Sequence, residues 1–217
     1  MMKTLYKNIA LVFVLVSLSA CQSAYYSAME KVGVHKRDIM LDRVEGAQTA
    51  QEEAQEQFKS ALEQLSSLIE FDGGDLAEQY EITEEQYEAS KAAADEVTGK
   101  IESIESVSEA LFDEWQTEIE QYSSASLKRQ SQSKLNSTQR QYNTLIKSMY
   151  KAKSKMDPVL ATLKDNTLYL KHNLNARAIG ALQGEYKTLQ KDVAVLVDEM
   201  SKSISQSQKF IDLLQEN

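Results

Sequence analysis

From Met40 onward, apolar side chains recur at alternating steps of four and three residues along nearly the whole chain, and this spacing restricts the fold more than any other feature. Such a seam belongs to a helix that packs side by side with other helices in coiled-coil fashion. The first seam runs from Met40 through Val44, Ala47, Gln51, Ala54 and Phe58 to Leu68. A second runs from Tyr87 through Ile101, Leu111 and Trp115 to Glu118 and Tyr122, and a third from Leu135 through Met149, Met156 and Asn166 to Leu170. A fourth, from Ile179 through Val193, Met200, Ser203 and Phe210 to Leu214, starts out of phase with the third. Only one Pro and seven Gly interrupt 217 residues, as expected for long helices joined by few turns.

The breaks divide the seams. Phe71-Asp72-Gly73-Gly74-Asp75 reads as a tight turn, and Tyr122-Ser123-Ser124-Ala125-Ser126 as a second one. Thr83 to Gln86 is a possible capping box, although Leu76 and Tyr80 argue for an earlier helix start. Asp157-Pro158 falls inside the third seam without disturbing its phase, so a helix kinked there is compatible with the pattern. The phase change at residues 172–178 is either a turn or a stutter within one long helix. A turn gives four rods of similar length, hence an all-α, elongated antiparallel four-helix bundle; a stutter gives a three-helix coil with one overlong member.

The N-terminus has a different character. Lys3 and Lys7 precede the eight-residue apolar run Ile9–Val16, which is too short to span a bilayer of about 30 Å and fits the core of a secretory signal. Leu18-Ser19-Ala20 then leads into Cys21, the one cysteine of the chain. These four residues resemble the lipobox of bacterial lipoproteins. The resemblance implies removal of residues 1–20, lipidation of Cys21 and a tether over residues 21–37, with the helical domain occupying 38–217. Gln22 stands where an Asp would resemble an inner-membrane retention signal, which points to the periplasmic face of the outer membrane and away from the inner one. Tyr25 and Tyr26 are placed either to rest among lipid headgroups or to begin the first helix.

The formal charge is −9, and removing Lys3 and Lys7 takes it to about −11. Acidity of this kind disfavours nucleic acid as a partner and broad adhesion to anionic lipid. The charge is uneven. Residues 45–125 hold 22 acids and three bases, whereas residues 126–171 hold ten bases and two acids. The two stretches are expected to attract each other at positions flanking the seams; the other use of the basic stretch is as a docking face for an acidic partner.

No reaction chemistry is legible. The two histidines, His35 and His172, lack ligand spacing, no cysteine remains for a metal, and no phosphate-binding or nucleophile-elbow motif is present. Neither an enzyme nor a cofactor site is expected. His172, Asn173, Asn175 and Arg177 cluster polar groups at the phase change, either for a partner or to satisfy backbone at a turn. Trp115 is expected in the core. Gln51 and Ser203, taken as exposed seam residues, leave self-association open.

The lipobox Leu18–Cys21, the Tyr-Tyr-x-x-Met-Glu-Lys stretch at residues 25–31 and Leu170-Lys171-His172-Asn173-Leu174-Asn175-Ala176 together resemble a family of Gram-negative lipoproteins of the domain-of-unknown-function type. The resemblance covers nearly the whole chain and implies an all-helical coiled-coil fold, with no activity and no binding residues. The expected role is a non-enzymatic, membrane-anchored rod that binds another envelope protein. The alternative is a lipid-anchored carrier or chaperone holding small apolar or peptide cargo between its helices.

Overall fold

The structure, a computed structural model, describes residues 25, 26, 28–70, 76–173 and 176–216. Four long helices account for most of them: α1 (Lys36–Ile69), α2 (Leu76–Gln121), α3 (Ala125–His172) and α4 (Ala176–Glu216). Residues 25, 26 and 28–31 are also helical and precede α1. At 1.5 Å per residue the long helices measure roughly 50–70 Å. Each packs on two neighbours, α1 on α2 and α4, and α3 on α2 and α4, which closes an antiparallel four-helix bundle.

The seams face its axis. All nine positions of the first seam are buried, and so are ten of eleven in the third, with Tyr142 half-buried. The fourth seam is buried throughout except for a half-buried Tyr186. Helix α3 continues through Pro158, with Met156 and Val159 on either side both buried, so the phase holds across the proline. At residues 172–178 the chain turns: α3 ends at His172, Asn173 caps it and α4 begins at Ala176. That turn selects four helices over three. The Gly73-Gly74 turn lies outside the described residues.

Two expectations need correction. Helix α2 begins at Leu76, and Thr83 sits inside it, its hydroxyl donating to the carbonyl of Gln79 at 2.8 Å instead of capping. The second seam also shifts after Ser108. Leu111 and Ile119 are buried, whereas Glu118 and Tyr122 are exposed and Trp115 is half-buried. From Ser108 to Ile119 is an eleven-residue step, which tracks a straight helix better than the seven-residue repeat does. Trp115 therefore lies at the wall of the bundle, its indole N–H donating to the Ser131 hydroxyl at 2.8 Å.

Charge complementarity is realised through few contacts. Among the described residues, the ion pairs within 4 Å that join different long helices are Lys36–Glu114 and Lys151–Glu199. The acidic and basic stretches meet instead through the Tyr150 hydroxyl, which donates to Glu105 at 2.8 Å and whose pKa that bond pushes up to about 12.

Gln51 and Ser203 are fully buried, which removes the ground for self-association that exposure would have offered. The amide of Gln55 donates to Val197 O at 3.0 Å and to Ser201 at 2.9 Å, fixing how α4 runs past α1. One turn back along α1, that register brings Gln51 level with Ser203, in a stretch lined by Ala47, Ala50, Ala54 and Ser207. Neither end of the Gln51 amide, nor the Ser203 hydroxyl, has a hydrogen-bond partner among the described residues. A buried unmatched amide costs about 1–3 kcal/mol. Gln51→Leu keeps a similar volume and is expected to raise Tm by roughly 2–10 °C in a circular-dichroism melt. An unchanged or lower Tm would show that Gln51 is matched.

Candidate functional site

Leu18, Ser19, Ala20 and Cys21 lie outside the described residues. Of residues 21–37, read from sequence as the lipidated Cys and its tether, the described part (25, 26 and 28–37) packs on the bundle. Tyr26 is 2% exposed. Its hydroxyl shares a 2.7 Å hydrogen bond with Ser106 of α2 and accepts another, also 2.7 Å, from Arg43 of α1. The Arg43 guanidinium also donates to Ser103 O at 2.6 Å and stands 5.4 Å from the Tyr26 ring centroid, a cation–π distance. Tyr25 touches Tyr26 edge-on at 5.4 Å but is itself exposed. The tyrosine pair is thus divided: Tyr26 belongs to the bundle, and Tyr25 faces outward.

The segment reverses direction at Gly33, whose φ of 86° is in the left-handed region that favours glycine. Helix α1 then starts after His35, whose backbone N–H donates to Asp38 at 3.3 Å. Lys36 pairs with Glu30 of the segment and, at 3.1 Å, with Glu114 of α2, while Arg37 donates to the carbonyl of Leu214 in α4. Residues 25–37 are therefore fastened to three helices. Arg43, among the seam residues of α1, is the one sequence signal for this site; its partners are 17 and 60 residues away and periodicity does not reveal them.

Two carboxylates compete for one ammonium here. The hydrogen bond from Lys36 holds the Glu30 pKa below its ordinary 4.5. Burial pushes that of Glu114 above it, more than Lys36 can offset. Burial acts to lower the Lys36 pKa, but its bonds to both carboxylates outweigh this and raise it.

The polar cluster at the far end behaves mainly as a turn. His172 is exposed at the end of α3. The Asn173 backbone N–H donates to Leu170 O at 3.0 Å and its side-chain amide to Tyr169 O at 2.9 Å, satisfying terminal carbonyls of the helix. Asn175 and the Arg177 side chain lie outside what is described. Just below the turn, a groove of about 420 Å³ between α3 and α4 is floored by Ala181 and Leu182 and rimmed by Thr162, Asp165, Tyr169 and Glu185. Asn166, 3% exposed, lines it with an unpartnered side-chain N–H. Sequence reading placed Asn166 only as a polar interruption of the seam.

Among the described residues, no three His, Cys, Asp or Glu side chains gather as a metal site would require. No described helix is long and apolar enough to cross a membrane. Residues 25–214 match a family described as "Protein of unknown function (DUF2959)". No curated protein matches the chain, and no solved structure does.

The carboxylates at Lys36 differ in sign. Because the folded pKa of Glu30 is lowered, its contribution to stability is present above pH 4.5 and is lost as pH falls through the folded value. Glu114 is raised, so folding favours its protonated form, and that preference is lost as pH rises. Glu30→Gln is expected to lower Tm at pH 7 by roughly 1–3 °C, after discounting for solvent screening, and Glu114→Gln to leave it unchanged or raise it. Thermal melts at pH 7 and pH 3 check this; the two variants should converge at pH 3.

Proposed function

We propose that this chain, which belongs to the DUF2959 family of unknown function, is a non-enzymatic lipoprotein of the Gram-negative cell envelope. It is anchored through Cys21, and its helical rod binds another envelope protein on the periplasmic side of the outer membrane. The observation that carries the reading is the spacing between the lipobox and the domain. Leu18-Ser19-Ala20-Cys21 ends only five residues before Tyr26, the first described side chain locked into the bundle. Diacylglyceryl on the Cys21 thiol, with acylation of the freed amino group, supplies several acyl chains. At about 0.8 kcal/mol per buried CH₂ these hold firmly.

Contact with a partner is assigned to the solvent face of α3. Arg140, Lys147, Lys164 and Lys171 are exposed there and make no ion pair within 4 Å among the described residues; of the exposed bases on α3, only Lys151 does. A row of uncompensated cations on a chain of net −9 suits an acidic partner surface. The cargo-carrier reading has less support. The bundle axis is filled by Phe58, Met149, Leu145 and Phe210, and the groove beside Asn166 sets Asp165 and Glu185 among its lining, which an apolar cargo would have to desolvate.

Photo-crosslinking in living cells from a residue on the α3 face, beside Arg140→Glu/Lys147→Glu/Lys164→Glu and Cys21→Ser, tests both parts. One envelope protein should dominate the capture. It should fall at least tenfold in the charge-reversed variant, with unchanged helicity, and should disappear or scatter in Cys21→Ser. Capture that survives charge reversal would move the contact off α3; no protein capture, with a small molecule retained on purification, would favour the carrier.

A further inference from the structure

The end of the bundle nearest Cys21 carries a patch that the anchor alone leaves unexplained. Of the eight large hydrophobic side chains exposed among the described residues, three lie there, Val32 (74%) on the N-terminal segment and Tyr122 (43%) and Leu127 (51%) around the α2–α3 turn, and Tyr25 (47%) stands on the flank about 22 Å back from it. Both groups belong to the same end. Lys36 ties the segment to Glu114, and one residue further along α2, Trp115 bonds to Ser131 at the start of α3. Exposed Lys31, Lys128 and Arg129 stand among them, with Glu118 and Glu120 exposed on the last turn of α2 beside Tyr122. Tyrosine with aliphatic side chains and flanking cations is what the headgroup layer of a bilayer accommodates, in contrast to the acidic surface of α1 and α2.

Chain length brings this patch to the membrane. Cys21 and Tyr26 are five residues apart, so the connecting chain spans at most about 17 Å when fully extended. Tyr26 is bonded to Ser106, fifteen residues before the end of α2, and the bundle end therefore projects about 22 Å beyond that level. A rod standing upright on this end would push the α2–α3 turn below the surface that holds Cys21. The axis must tilt by at least about 40° from the membrane normal, which lays the rim of this end on the bilayer.

Resting on the lipoprotein reading above, we infer that Tyr25, Val32, Tyr122 and Leu127, with Lys128 and Arg129, form a second, non-covalent membrane contact: a foot that docks on anionic lipid headgroups and fixes the rod at a steep tilt. The anchor sets which membrane, and the foot sets which face of the rod looks away from it.

The lipidated chain can be reconstituted in vesicles of phosphatidylethanolamine and phosphatidylglycerol at a ratio of about 3:1, with a nitroxide-labelled headgroup lipid. A fluorophore is placed at Ser126→Cys or, at the far end, at Gly180→Cys, where an added side chain meets open space. The Cys21 thiol is occupied by its thioether, so labelling is unique. The probe at 126 should be quenched several-fold more than the one at 180, and Leu127→Glu/Arg129→Glu should lower the quenching at 126 at least twofold while vesicles and protein still float together. Quenching at 126 that is unchanged in the variant, in co-floating protein, overturns the foot and leaves the anchor standing. Failure to float overturns the anchor, and the foot with it.

Discussion

Each of the four long helices carries one apolar stripe, and each stripe can be kept from water only by two neighbours at once. That constraint governs the rest of the molecule. It requires the chain to reverse at residues 173–175, because without a fourth rod the stripe of α1 from Met40 to Leu68 would have one face uncovered. It also selects antiparallel neighbours, since short connections leave no other choice. Polar side chains then fix the register that the stripes leave free: Gln55 against Val197 and Ser201, Gln57 against Gln86, and Thr167 against Thr83. Where α1 meets α4, alanines and serines replace larger groups, and Gln51 is buried among them at a cost that hydrophobic packing elsewhere must offset.

The seams were legible because a coiled-coil interface writes its period into the sequence. Spacing put Asn166, Ser203 and Gln51 on the seams, but reading polarity as exposure misplaced Gln51 and Ser203, which are fully buried. Spacing itself misplaced Glu118 and Tyr122, and put Trp115 deeper than it lies, because one eleven-residue step slips the phase without any Gly or Pro to announce it. The N-terminal segment was read as a tether for a different reason. Its fastening depends on Arg43, Ser103 and Ser106, and a contact across as many as 80 residues leaves no local pattern. The charge contrast between the first half and α3 was evident from composition. Composition did not reveal that most of the α3 cations face solvent and make no direct ion pair.

These features suggest a division of labour along the rod. The N-terminal end is tightly knitted: Tyr26, Lys36 and Arg37 tie the incoming chain to α2 and α4. The flank formed by α1 and α2 is acidic. The opposite flank presents the cations of α3, and at the far end Asn173 spends its backbone N–H and its side-chain amide on carbonyls of α3. On the proposed anchoring, such a rod would gain specificity from orientation, because a partner would have to meet the α3 face at a set distance from the membrane.

The account depends on Cys21 being the lipid-bearing first residue of the working protein. The intact mass of the chain purified from bacterial membranes tests this most directly. The prediction is a mass lacking residues 1–20 and increased by a diacylglyceryl and a further acyl group, with fragment ions placing both on Cys21. A mass matching an unmodified polypeptide, cleaved or not, would contradict it.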